Sequence, residues 1–193
     1  MQLEEFKNLV IKTRCCRRFK KIDIKSEDLI KIVQIAALSS SAKNLQPLKY
    51  IIVSQDEEIK QKIFKPLKWA AALKDWQGPI EEEKPSAYII VLCDKNISDY
   101  CMVDAGIAMQ TIMLSLTSID LSGCILASID KNEYKKIFDL PENIEPIFAI
   151  AIGKRGEEIK IVPKKDSIEY FRDEKNAHCV PKRSLNEVLW KIL

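Results

Sequence analysis

Apolar positions along this chain follow two periods in alternation, with turn and capping residues between them. Leu3, Phe6, Leu9 and Val10 recur at helical spacing and predict a first helix over 3–12. Ser26 ahead of Glu27 and Asp28 has the composition of a helix start, and Leu29, Ile32, Val33, Ile35 and Ala36 carry the stripe to about Leu38. The β-branched run at 50–53 predicts a strand, after which Asp56 can cap a helix to about Phe64. Residues 87–93 are continuously apolar, as in a strand buried on both faces. From Ser98 or Asp99 to about Ser118 runs the longest predicted helix. Its residues Met102, Val103, Ala105, Ile107, Ala108, Met109, Ile112, Met113, Leu114 and Leu116 leave little polar face. Such a helix must be covered on most sides, and a subunit interface is a natural cover in a small chain. Residues 122–127 predict a strand, Asp130 a short helix through Ile137, and 147–152 a buried strand closed by Gly153-Lys154-Arg155-Gly156. Leu185, Val188, Leu189 and Ile192 predict a final amphipathic helix. Residues 65–85 have no clear period; there Trp69 and Trp76 suit either a cover for the core edge or a lid over a pocket. The alternation of strands and helices predicts an α/β or α+β domain, 1–193, with one central sheet.

Composition narrows the chemistry. With 193 residues, 47% hydrophobic and 31% charged, the chain can bury one sizeable core. Lys+Arg 31 against Asp+Glu 28 gives +3, which is no polybasic signature for nucleic acid. The N-terminus lacks a signal-peptide pattern and no apolar run is expected to reach membrane-spanning length, so the expected address is cytoplasmic, with no membrane partner. Cys15, Cys16, Cys93, Cys101, Cys124 and Cys179 contain no C-x-x-C pair. A disulfide framework is not expected, and His178 with Cys179 lacks the spaced ligands of a metal site. There is no G-x-G-x-x-G, P-loop or G-x-S-x-G, and a single histidine leaves little room for a Ser-His-Asp system. If the protein is an enzyme, a bound cofactor is expected to carry the chemistry, with no catalytic side chain of its own.

Two stretches hold the candidate site. Thr13-Arg14-Cys15-Cys16-Arg17-Arg18-Phe19 packs three guanidinium groups into one turn, suited to phosphate or to the negative end of the preceding helix. Cys15 beside Cys16 also raises a vicinal redox pair, which ring strain disfavours. Ser39-Ser40-Ser41-Ala42-Lys43-Asn44-Leu45-Gln46-Pro47 is a polar, turn-prone junction between helix and strand. Its uncharged donors and acceptors suit a neutral heterocycle such as a flavin or nicotinamide ring, or simply a helix end.

These stretches, in this order, resemble the nitroreductase-like FMN family, whose patterns read R-R-S-x-R-x-F and then P-S-A-x-N-x-Q-P-W. The helix with Asp104, Gly106 and Gln110, then Ser122-Gly123-Cys124-Ile125, is similar to that family's central helix and glycine-rich strand entry. Pro181-Lys182-Arg183-Ser184-Leu185 is similar to its C-terminal basic pair. Thr13, Cys15, Ser40 and Leu48 depart from the pattern. The resemblance implies an α+β fold with a mostly antiparallel sheet flanked by helices, an obligate homodimer, and FMN in two clefts at the interface. It implies NADH or NADPH as electron donor, ping-pong turnover, and a planar, electron-poor acceptor of nitroaromatic or quinone type. Arg14, Cys15 and Arg17 would come from one subunit, with Lys182 or Arg183 completing the phosphate cage. Arg17 would lie near the pyrimidine edge. Ser40, Ser41, Asn44 and Gln46 would reach the flavin from the partner, and Ser122 and Gly123 would present backbone N–H groups near its reactive edge. Trp69, Trp76, Tyr170 and Phe171 would line the acceptor face. The alternatives are a flavin carrier or sensor without turnover, and a nucleic-acid patch built on Arg14, Arg17, Arg18, Lys20 and Lys21.

Overall fold

The computed structural model describes every residue except Lys74. Its strands are β1 (Phe19–Lys20), β2 (Leu48–Val53), β3 (Ala87–Asp94), β4 (Ser122–Leu126), β5 (Ile144–Arg155), β6 (Ile159–Pro163), β7 (Phe171–Arg172) and β8 (His178–Lys182). Its α-helices are α1 (Leu3–Lys12), α2 (Ser26–Ala37), α3 (Glu57–Phe64), α4 (Cys101–Ser118), α5 (Lys131–Ile137) and α6 (Leu185–Val188).

β5 organises the main sheet. It pairs antiparallel with β3 from Ile144 to Ile152, with β4 from Ala149 to Gly153, and with β1 at Lys154 and Arg155; β2 pairs antiparallel with β3. The alternation of side chains along a strand divides the core in two. Ala87, Ile89, Val91 and Cys93 of β3, with Ile150 and Ile152 of β5, pack on one face with buried residues of α2 and α4. Tyr88, Ile90, Leu92, Ala149 and Ala151 pack on the other with Ile63 of α3, Tyr134 of α5, Leu67 and Trp69. The sheet is covered on both faces, which is why β3 reads as unbroken apolar sequence.

Several expectations need correction. The helix expected from Ser98 or Asp99 begins at Cys101, because the Ser98 hydroxyl instead accepts from the Tyr100 N–H at 3.0 Å. α2 begins at Ser26 itself, with Lys25 before it, since the Ser26 hydroxyl is bonded to that of Ser54 at 2.7 Å. Cys93 and Cys101 form a disulfide, against the expectation of free thiols. The turn between β3 and α4 brings their Cα atoms to 5.8 Å, within the range a bridge requires. α4 is long and apolar enough by composition to cross a membrane, contrary to the expectation for any run here. In this fold one face of it, from Ala105 to Leu116, packs in the core, while Met102, Val103 and Ile107 are exposed. The final helix is a single turn, and Leu189, Trp190, Ile192 and Leu193 beyond it lie exposed. Nor, among the described residues, does a helix join Trp69 to Trp76: Trp69 is buried in the core and Trp76 packs under Arg18 and Arg172. The expectation for 65–85 also covers Lys74, which lies outside the described residues. A second sheet was not foreseen. β8 pairs parallel with β6 and antiparallel with β7, and this small sheet carries His178 to the arginine turn.

Candidate functional site

The chain leaves α1 at Thr13 and crosses β4, where the Cys16 N–H donates to the Gly123 carbonyl at 2.9 Å. A buried carboxylate, Glu157, then fixes the turn. One oxygen accepts from the N–H groups of Arg17 and Arg18 at 2.5 and 3.2 Å, and the other pairs with Arg172 at 2.7 Å. Successive side chains diverge from this extended segment. Arg18 meets Glu83 at 3.4 Å and lies over Trp76, and Cys16 enters the core. Cys15 and Arg17 line a cleft of about 260 Å³ on the other side.

That cleft gathers Arg14, Arg17 and Lys182 with Thr13, Cys15, Gln110, Met113, Ile125, Tyr170, His178 and Val180. Three cations line it and, among the described residues, no carboxylate does. Arg14 donates to the carbonyls of Val10 and Ile11, the latter at 3.2 Å, so it caps the end of α1 while also bordering the cleft. The Arg17 guanidinium lies 4.4 Å above the Tyr170 ring, with Nη1 2.9 Å from Nε2 of His178. Arginine has no acceptor to offer, so Nε2 accepts and the imidazole proton resides on Nδ1. That N–H is buried without a partner among the described residues. Burial first, then the neighbouring Arg17 charge, push the His178 pKa down to about 4.

The serine junction forms a separate pocket of about 170 Å³, lined by Ser39, Ser40, Ser41, Gln46, Tyr50 and Asp104 among others. Asp104, buried on α4, accepts from the Ser41 hydroxyl and, at 3.1 Å, from the Ala42 N–H. The Gln46 N–H donates to Ser41 Oγ at 2.8 Å, and the Gln46 carboxamide donates to Asn44 Oδ1 at 3.1 Å. Lys43, Asn44 and Gln46 all hold left-handed φ, at 52°, 55° and 52°. Asn44 is exposed and does not line the pocket. Burial and the charge of Asp104 push the Tyr50 hydroxyl up to about 12, so it remains a neutral donor.

The predicted residues therefore fall into two groups within one protomer: Arg14, Cys15, Arg17 and Lys182 in one cleft, and Ser40, Ser41 and Gln46 in another. Ser122 and Gly123 line neither. They belong to the ladder of β4 with β5; Ser122 Oγ accepts from Arg155, and Gly123 faces Met113 and Leu116. Ile125 is the residue of that strand which reaches the cleft. Arg183 is exposed beyond it, and of the four aromatic candidates only Tyr170 lines it. Sequence reasoning missed His178, because its neighbours come from a sheet whose strands are short. It also missed Asp104 as the anchor of Ser41; a lone acid in the most apolar helix was the available signal.

A family model described as "Nitroreductase family" matches residues 10–154. A protein of Archaeoglobus fulgidus, provisionally named as an NADH dehydrogenase/NAD(P)H nitroreductase, is 26% identical over 164 residues, covering 81% of this chain and 88% of its own. The iodotyrosine deiodinase of Thermotoga neapolitana is 24% identical over 163 residues, covering 76% and 86%. Among solved structures, an FMN-dependent nitroreductase of Clostridium difficile R20291 superposes with a TM-score of 0.61 at 23% identity, over 77% of this chain and 87% of its own.

Proposed function

Because the chain belongs to the nitroreductase family, we propose that it is an FMN-dependent NAD(P)H oxidoreductase that reduces a planar, electron-poor acceptor of nitroaromatic or quinone type and works as a homodimer. The observation that carries this reading is the cleft lined by Arg14, Arg17 and Lys182 with no carboxylate among its described residues. Grouped cations without acidic partners repel one another, and an anionic ligand relieves that cost. The phosphate of FMN is such an anion, held by forked guanidinium donors and a lysine. The flat wall made by Tyr170 beneath Arg17, and the spare buried N–H of His178, fit a ring system that carries hydrogen-bonding atoms.

When bound, FMN would supply the redox chemistry, receiving a hydride from NAD(P)H and releasing electrons to an acceptor in a second half-reaction. The protein's part is placement and charge. Arg14 and Lys182 would hold the phosphate end. Arg17, fixed by His178 and Tyr170, would supply a permanent positive charge in the cleft, which would favour electrons added to a bound flavin. Ser40, Ser41 and Gln46 line a second pocket whose charged member is Asp104, with Asn44 exposed on the same junction; a homodimer would let one copy's serine junction complete the other's arginine cleft. Ser41 is oriented for this by Asp104. The deiodinase relative argues for keeping the acceptor class broad, since its named activity differs from nitro reduction.

The test is an anaerobic titration. Purified protein should bind FMN with a shifted visible spectrum, bleach on addition of NADH or NADPH, and recover colour with a quinone or nitroaromatic. Arg17→Ala should weaken FMN binding roughly thirtyfold, equivalent to about 2 kcal/mol for loss of a charge-assisted contact. Binding without bleaching would point to a carrier or sensor. No binding, or a variant with unchanged affinity, would overturn the site.

A further inference from the structure

Arg17 and Arg18 are neighbours in the chain, yet they serve different places. Arg17 lines the cleft, whereas Arg18 meets Glu83 at 3.4 Å and lies over Trp76. A slip of one residue would exchange them. Strand pairing alone is a weak guard against that slip, because β1 joins β5 through only two residue pairs, Phe19 with Arg155 and Lys20 with Lys154.

The corner between β5 and β6 supplies the missing constraint. The Glu157 side chain there is 3% exposed. Its Oε1 accepts from the N–H groups of both Arg17 and Arg18, at 2.5 and 3.2 Å, and its Oε2 pairs with Arg172 at 2.7 Å. Main-chain bonds flank the carboxylate. The Gly156 N–H donates to the Arg18 carbonyl and the His178 N–H to the Glu158 carbonyl, each at 2.8 Å. A Cβ on Gly156 would lie 2.8 Å from that Arg18 oxygen, so the corner sits directly against the turn. Arg172 of β7 is in turn the register partner of His178 on β8. Residues 156–158 thus touch the arginine turn, β7 and β8 together, while Glu157 itself does not line the cleft.

We propose that Glu157 is a positioning residue that selects Arg17, rather than Arg18, as the guanidinium facing the ligand. This rests on the reading of the cleft as the FMN site and names what holds that site in register. A buried carboxylate is costly unless its oxygens are bonded, so the arrangement in which one oxygen takes both N–H groups is favoured over one that withdraws either. Arg172 offsets the Glu157 charge behind the wall. The turn is therefore fixed without adding a carboxylate to the cleft, and Arg14, Arg17 and Lys182 keep their charge for an anion.

The experiment uses the full chain and two readouts: amide exchange of the ligand-free, ¹⁵N-labelled protein by NMR, and FMN affinity from quenching of flavin fluorescence. Circular dichroism confirms that each variant is folded. The Arg17 and Arg18 amides should exchange slowly in the wild type and about tenfold faster or more in Glu157→Ala, as loss of a bond to a charged acceptor implies. Glu157→Gln combined with Arg172→Met keeps an oxygen for both N–H groups and removes the two charges together, and should recover most of that protection. Arg17→Ala should weaken FMN binding roughly thirtyfold in the wild-type background but less than about threefold in Glu157→Ala, because a guanidinium no longer held in place has little left to lose. Equal penalties in the two backgrounds would overturn the proposal, as would wild-type Arg17 and Arg18 amides that exchange at the rate of an unfolded chain. A wild-type chain that binds no FMN would overturn the function proposed above instead, and amide exchange would still decide whether Glu157 holds the turn. The wild-type exchange rates decide even if a variant does not fold.

Discussion

At the residue scale, one contact sets the state of two side chains. Arg17 donates to Nε2 of His178 within the cleft wall, which keeps the guanidinium in place and the imidazole neutral. The folded pKa of His178 is about 4 against an ordinary 6.5. Between these values the unfolded chain binds a proton that the folded chain refuses, so folding stability rises with pH across that window. Stability should therefore be level above pH 6.5 and decline as pH falls toward 4. Denaturation midpoints at pH 7.5, 6 and 5 test this. The wild type should lose more stability over the series than His178→Gln, which cannot titrate, and equal losses would assign the pH dependence to other groups. Arg14 and Arg17 were legible from sequence because cations clustered in a turn are chemically unusual, whereas Cys15 and Lys182 were singled out only through the family resemblance. His178 was not, because its role depends on β8 lying beside β6, a pairing no local pattern encodes.

At the scale of elements, α4 and β4 join closely behind the cleft, at Gly123. A Cβ on Gly123 would lie 2.7 Å from Met113 Sδ, 3.1 Å from Leu116 Cδ1 and 3.3 Å from Ile150 Cγ2. The methionine sulfur can move, but Leu116 and Ile150 are fully buried and cannot easily yield. Gly123→Ala should cost about 1–3 kcal/mol through overpacking. The check is a lower denaturant midpoint with an unchanged slope; wild-type stability would mean that α4 can shift away from the sheet. Most elements were legible because their apolar periods are long. The exceptions were β1, β6, β7 and β8, which span two to five residues each, so pairing rather than pattern makes them strands. The closure of Cys93 onto Cys101 was hidden for a similar reason: it depends on how the chain reverses between β3 and α4.

At the scale of the whole molecule, a protomer leaves much apolar surface open. Met102, Val103 and Ile107 of α4, Leu3 and Phe6 of α1, and the terminal Trp190, Ile192 and Leu193 are all exposed. Large apolar side chains left exposed in this number fit an interaction face. Under the homodimer reading, association should bury it and stabilise the fold by mass action, so the thermal midpoint should rise with protein concentration. Sedimentation at micromolar concentration should give twice the chain mass. A monomer with a concentration-independent midpoint would defeat that reading and leave the two half-sites apart.

The sequence by itself determined the alternation of helices and strands, the two-sided burial of the central strands, the basic turn and the serine junction. Each is written in a local period or a local cluster of chemistry. Only the tertiary structure decided which of those groups share a cleft. It placed the serines and arginines in different pockets, enclosed Ser122 and Gly123 in the sheet, turned Cys16 into the core while Cys15 lines the cleft, and set His178 against Arg17. The reason is physical. Strand register and helix packing bring together residues distant in the chain, and the energies that select one pairing lie in burial and long-range hydrogen bonds rather than in neighbouring residues.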